Sequence, residues 1–132
     1  MFTDNELAYL AAQRLGRLAT AQPSGTLQNS PVTFGWNAAT QTIDIGGHNM
    51  AASQKFKNVA RGSKVAFVVD DIKSFQPWQV RCLEIRGTAE AIEQPVDSAA
   101  PVGDGPIIRI HPKRIISWGI DPEESARGKR DV

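Results

Sequence analysis

Cysteine occurs once in the chain, at Cys82. A lone thiol excludes an internal disulfide framework and fits a reducing compartment, so a cytoplasmic location is expected. Histidine is nearly as scarce: His48 and His111 have no partner at ligand spacing, and no metal site is expected. Neither sign of charge is in excess, with 15 basic and 14 acidic residues giving a net charge of +1. That balance supplies no general field for nucleic acid or an anionic membrane, so any anion binding has to be local. No apolar run approaches the ~20 residues of a membrane span. The first residues show no basic region leading into a hydrophobic core, so no signal peptide is expected. Nucleophile elbow, Walker loop and Gly-x-Gly-x-x-Gly are missing as well. Cys82 lies in a strand pattern without a Cys-x-x-Cys partner and reads as a packing thiol.

What is present is a chain of 132 residues, 41% apolar and 22% charged, the range of one globular domain. That domain is expected over residues 1–120, followed by a charged tail over 121–132. Thr3-Asp4-Asn5-Glu6 is a capping box with Phe2 and Leu7 placed as a staple, predicting a short amphipathic helix to about Gln13. Leu15–Ala21 and Thr26–Trp36 flank the turn residues Pro23-Ser24-Gly25 and read as a hairpin, with Val32, Phe34 and Trp36 on one face. Thr42–Ile45 supplies a third strand. Val65–Val69 is a continuous apolar run, the pattern of a strand buried on both faces, and Ile72–Trp78 reads as a loop. Arg81–Ile92 alternates cleanly, with Leu83 and Ile85 inward. Residues 93–105, rich in Pro, Gly, Asp and Ala, read as a flexible connection. Ile107–Ile120 reads as a long strand broken at Pro112. The tail from Asp121 lacks apolar periodicity and is expected to be disordered or draped on a partner. The pattern implies a mainly β fold: a small antiparallel barrel of six or seven strands with two short helices. A barrel this small fills its interior with side chains, so a ligand belongs outside it.

The stretch from Asp44 to Val59 carries the densest chemical signal. A strand leads through Gly46-Gly47-His48-Asn49 into a helix expected to start at Ser53 and stop at Gly62. Free N–H groups at a helix start, together with Lys55 and Lys57, make an anion site, and phosphate is the common occupant. The alternative is a capped surface helix with solvated lysines. No side chain stands out as a covalent or general-base catalyst, which suits a protein whose chemistry is supplied by a bound redox cofactor.

Leu15-Gly16-Arg17-Leu18-Ala19-Thr20, Ser30-Pro31-Val32-Thr33-Phe34, Ser53–Val59, Val65–Asp71, Glu84–Glu90 and Ile110–Gly119 follow one another in an order that resembles the pyridoxamine-phosphate-oxidase-like split β-barrel superfamily. The likeness is greatest to its actinobacterial branch dependent on the deazaflavin coenzyme F420. It covers nearly the whole chain apart from 93–105 and the tail. The resemblance implies a homodimer with cofactor sites at the subunit interface. It also implies a reductase passing a hydride from reduced F420 to a small conjugated or heterocyclic molecule. The alternatives are an FMN-binding oxidoreductase of the same fold and a non-catalytic flavin or deazaflavin carrier. Carried onto this chain, it assigns Ser53, Lys55, Lys57 and Asn58 to the cofactor phosphate. The loop residues Gly47 and Asn49 lie beside them, and the backbone of Ser30, Pro31, Val32 and Thr33 meets the ring system. The oxidases carry an arginine near Ser30 and a lysine near Gly35; this chain has neither, which favours the deazaflavin branch over FMN. Arg17, Arg61, Lys64 or Arg81 would meet the acidic tail of F420. His48 and Tyr9 are the candidate proton donors.

Overall fold

The computed structural model describes residues 1–121 and 128–132. Helix α1 (Asp4–Ala12) opens as its capping box requires: the Thr3 hydroxyl accepts from the Glu6 N–H, and the Glu6 carboxylate accepts from the Thr3 N–H. Seven strands follow: β1 (Leu15–Ala21), β2 (Leu27–Asn37), β3 (Thr42–Gly46), β4 (Val65–Phe75), β5 (Trp78–Ile92), β6 (Ile107–Trp118) and β7 (Arg130–Asp131). Helix α2 (Gln54–Ala60) lies between β3 and β4. The strands are ordered β3-β2-β1-β4-β5-β6-β7, and β3 also pairs with β6, so the sheet closes on itself as a split β-barrel. Alternation then sends Leu18, Phe34, Ile43, Ile45, Phe67, Leu83, Ile85, Ile110 and Ile115 into a filled interior.

Several expectations change once the sheet is closed. Only Val65, Phe67 and Val69 of β4 face the core; Ala66 and Val68 are half-buried on the outside, because a ring has one interior face. The 72–78 segment is mostly strand: β4 and β5 remain paired to Phe75↔Trp78, past an irregularity at Ile72/Ser74. Pro112 does not break β6. A bulge shifts the register from Gly87↔Pro112 to Arg86↔Arg114, which returns Ile115 to the core while Ile116 and Trp118 point outward. Gly87 is required there, since a Cβ would stand 2.1 Å from the His111 carbonyl oxygen.

The 93–105 connection packs against the barrel. β3 is buried along its whole length: Ile43 and Ile45 face the core, and Asp44 faces outward yet has no exposure. What covers it is the Asp97–Val102 segment. The Asp44 carboxylate accepts from the Ala99 N–H at 2.9 Å, and Asn37 Nδ2 donates both to Asp44 Oδ2 at 3.0 Å and to the Asp97 carbonyl at 2.8 Å.

The tail also differs from expectation. Residues 122–127 lie outside the described residues, but β7 pairs with β6. Arg130 Nη2 donates to Glu6 Oε1 at 2.5 Å, and Ser117 Oγ donates to Glu6 Oε2 at 2.6 Å. Glu6 is fully buried, so one carboxylate joins the start of α1, the end of β6 and the chain terminus. A single arginine outweighs the tail's polar composition because it answers a carboxylate that has no access to water.

Candidate functional site

The loop after β3 turns through Asn49, whose backbone is left-handed at φ 51°, into a short 3-10 turn over Met50–Ala52 and then α2. Ser53 caps α2 as expected: its Oγ accepts from the Phe56 N–H at 3.3 Å and donates to the Met50 carbonyl at 2.6 Å. The hydroxyl is thus occupied in the cap. Gly62 ends the helix at φ +96°, with its N–H donating to the Val59 carbonyl. Lys57 is exposed on the helix surface. Asn58 is fully buried; its Nδ2 donates to Thr20 Oγ1 at 3.0 Å and its Oδ1 accepts from Gln54 Nε2 at 2.7 Å. Asn58 thereby ties α2 to β1, and its amide is turned inward.

Lys55 is different. It is half-buried and lines a cleft of about 290 Å³ with Pro31, Val32, Thr33, Gly47, His48 and Leu15. The strand segment and the loop–helix segment, far apart in sequence, therefore meet as one wall and one floor. Among the described residues Lys55 has no ion-pair partner. Its ammonium is the fixed positive charge of the cleft, with the exposed imidazole of His48 beside it. Pro31 and Thr33 point out of the barrel into this space, whereas Ser30 shares the inward side with Val32, and its Oγ is buried without a hydrogen bond. Gly47 has open space, a Cβ there meeting only the end of Met50 at 3.7 Å; Gly46 has none, because a Cβ would stand 2.7 Å from the Val102 carbonyl oxygen. Both glycines line the cleft, but only Gly46 is also pressed against the 97–102 segment.

A larger cleft of about 640 Å³ adjoins the first, and Leu15 and Thr33 line both. Its walls are Leu7, Leu10 and Ala11 of α1, Phe34, Gly35 and Trp36 of β2, and Ala100 and Pro101 of the roofing segment, with Gln13 and Arg14 at the polar end. From the sequence α1 is expected as a short amphipathic helix carrying Tyr9 as a candidate proton donor, not as the wall of a cleft. The available signals were Gly35, an unusual residue inside a strand, and the apolar Leu7 and Ala11 beside the buried Leu10. Nothing in the sequence pointed to Ala100 and Pro101.

The other cations take up different places. Arg17 sits in a separate outer groove of about 300 Å³ with Val68, Val80, Cys82 and Trp118, and it is paired with Asp70 at 2.6 Å. Arg81 forms a two-armed pair with Asp71 and lies over the Tyr9 ring, 5.0 Å from its centroid. Tyr9 is buried and donates its hydroxyl proton to Asp71 at 2.9 Å. Burial first, then that bond and the Asp71 charge, push its ionisation far above the ordinary tyrosine range. Tyr9 is therefore a structural anchor, and His48 is the proton-donor candidate that lines a cleft. Arg61 and Lys64 are exposed beyond the C-terminal end of α2. Among the described residues no cluster of metal-ligating side chains is found, and no helix is long and apolar enough to cross a membrane.

Comparison with known proteins gives the family and the fold. The chain is 44% identical over 124 residues, spanning 94% of itself and 87% of the relative, to a 5a,11a-dehydrotetracycline/5a,11a-dehydrooxytetracycline reductase of Streptomyces rimosus. Among solved structures, an FAD binding protein from Mycobacterium smegmatis superposes with a TM-score of 0.68 at 20% identity, over 89% of this chain and 94% of that one. An F420 reductase superposes with a TM-score of 0.63 at 23% identity, over 87% of this chain and 98% of that one. These two show the shared fold. The family model described as pyridoxamine 5'-phosphate oxidase matches residues 2–119, and the chain belongs to that family.

Proposed function

We propose that this protein is a reductase that uses reduced coenzyme F420 to reduce a small conjugated or polycyclic molecule. The observation that carries the reading is the pair of adjoining clefts, one bearing the Lys55 ammonium, unpaired among the described residues, and the other lined mainly by apolar side chains. It is supported by 44% identity to a reductase that acts on dehydrotetracyclines.

The residues present fit the cofactor. Lys55 would hold its phosphate by a charge-assisted hydrogen bond, with Gly47 leaving room for the approach. A two-turn helix adds little field of its own, so Lys55 is the main electrostatic contact, and Lys57 contributes at longer range. Pro31 and Thr33, standing out from β2 beside Leu15, would give the ring a largely apolar bed. Reduced F420, when bound, supplies the hydride. The chain's share is to hold ring and acceptor in contact and exclude water between them, which is mainly a proximity effect. His48 would deliver the accompanying proton from the cleft wall. Ser53 and Asn58 serve by holding α2 in place, the one as cap and the other through Thr20. The cofactor sites lie at a homodimer interface in this reading. A single domain and a cytoplasmic location complete the proposal.

FMN is the second reading, because the same cleft would accept its phosphate on Lys55. Titration of the purified chain with F420, FMN and FAD decides between them. Micromolar F420 binding with weak FMN binding is the expected result; tight FMN binding with absent F420 binding overturns the proposal. A carrier would bind F420 without oxidising its reduced form in the presence of any conjugated acceptor.

A further inference from the structure

Asp44 is a carboxylate on the outside of a barrel that has no contact with water. It faces Gly35 across one strand pair and Arg109 across the other. Its two oxygens accept from Arg109 Nε at 2.9 Å and Nη2 at 3.2 Å, from Thr42 Oγ1 at 3.2 Å, from Asn37 Nδ2 and from the Ala99 N–H. Thr42 lies on its own strand and Asn37 and Arg109 on the two strands paired with it, but Ala99 belongs to the roofing segment, and Asn37 holds that segment a second time through the Asp97 carbonyl. Gly35 and Gly46 complete the fit: a Cβ at Gly35 would stand 2.6 Å from the Ala100 carbonyl oxygen, and one at Gly46 2.7 Å from that of Val102. So a polar clamp and two side-chain-free strand positions press a segment of irregular chain onto the sheet. The edge of that segment, Ala100-Pro101, faces α1 across the larger cleft.

We propose that Asp44 is a positioning residue that sets acceptor specificity by holding Ala100-Pro101 as the fixed outer wall of the larger cleft. The clamp lies behind the wall and touches neither cleft, so it acts through the segment. This rests on the reading that the larger cleft takes the acceptor. Its lining selects a flat apolar molecule, and Arg14 at the polar end favours one with an anionic edge. A loose segment would leave the cleft open on one side and lose the sandwiching of a flat molecule between α1 and the wall.

The test uses the full chain and two substitutions that spare the Asp44–Arg109 pair. Asn37→Ala removes the second tether, and Ala99→Pro removes the N–H that Asp44 accepts. Amide hydrogen exchange at 97–102 reads the clamp. Titration with anilinonaphthalene sulfonate, an aromatic anion with a flat naphthalene ring, reads the cleft without cofactor or turnover. The expected result is faster exchange confined to that segment and about tenfold weaker probe binding, equivalent to 1.4 kcal/mol, with the F420 dissociation constant changed less than about twofold. With an active acceptor, KM rises and kcat holds. Unchanged exchange overturns the clamp; faster exchange with unchanged probe affinity, or no probe binding by the native chain, overturns the wall. Failure of the native chain to bind F420 would instead sink the proposed reductase function while leaving the exchange and probe results readable.

Discussion

Leu15 and Thr33 are cross-strand partners on β1 and β2, and each lines both clefts. The pair is the threshold between the charged and the apolar compartment. Leu15 is 54% exposed, so changing it disturbs no core packing. Leu15→Glu would place a carboxylate against an apolar ring and near an anionic ligand. Cofactor binding is expected to weaken by about tenfold or more, while stability stays within about 0.5 kcal/mol of the parent, as for other surface changes. Fluorescence titration and urea unfolding read the two quantities.

Lys55→Ala tests the phosphate contact directly. Loss of one charge-assisted hydrogen bond should weaken F420 binding by roughly 1.5–3 kcal/mol, and the effect should shrink as salt is raised. Lys57→Ala, on the exposed side of α2, should have a smaller effect. Equal affinity of native and Lys55→Ala proteins would return α2 to a capped surface helix.

Asp44 is expected to make the fold acid-sensitive. Burial alone would raise its pKa, but the hydrogen bonds from Arg109, Asn37 and Ala99 prevail and hold it below the ordinary carboxylate value. A depressed folded-state pKa contributes stability that is fully present above the unfolded value of about 3.9, and that is lost as pH falls through the folded value. Urea midpoints should therefore drop steeply below about pH 4. Asp44→Asn should flatten that limb and cost about 3–5 kcal/mol at neutral pH, since it strands Arg109.

Arg130→Ala removes the basic partner of buried Glu6. Ser117 and the Thr3 N–H remain as donors to it, so the expected loss is roughly 1–3 kcal/mol, or a fall in Tm of about 4 °C per kcal/mol for a domain of this size. Calorimetry measures it. An unchanged Tm would mean that the terminus does not hold α1 in solution.

The Cys82 thiol is pushed up to about 11 by burial first, then by the charges of Asp70 and Glu84. Alkylation by iodoacetamide should therefore be slow at pH 8 and still climbing at pH 10, instead of levelling near the ordinary value of 9.0. A plateau by pH 9 would refute this environment.

Local chemistry was legible in the chain itself. The Thr3–Glu6 box, the Ser53 cap, the Gly62 stop and the alternation of Leu83 and Ile85 each depend on neighbours a few residues away, and each appears where residue type alone placed it. Lys55, Gly47, His48 and Pro31–Thr33 were also named from sequence, and folding brings them to one cleft. What could not be read was anything set by pairs distant along the chain. Whether Val68 is core or surface depends on the ring closing through β3 and β6. Asp44 looks like an ordinary outward residue until Ala99 arrives 55 positions later to bury it. Arg130 becomes structural only because Glu6, at the opposite end, has been buried. Sequence by itself determined the two helices, most of the strands and the helix caps, and it named the residues offered to an anion, because short-range hydrogen bonding and side-chain periodicity govern those; the paired 72–78 segment, the bulge at Pro112 and β7 depend on partners elsewhere in the sheet. Only the tertiary structure decided which polar groups are committed inward, which segment roofs the sheet and where the apolar cleft opens, because burial and charge pairing are settled by what the rest of the chain lays on top.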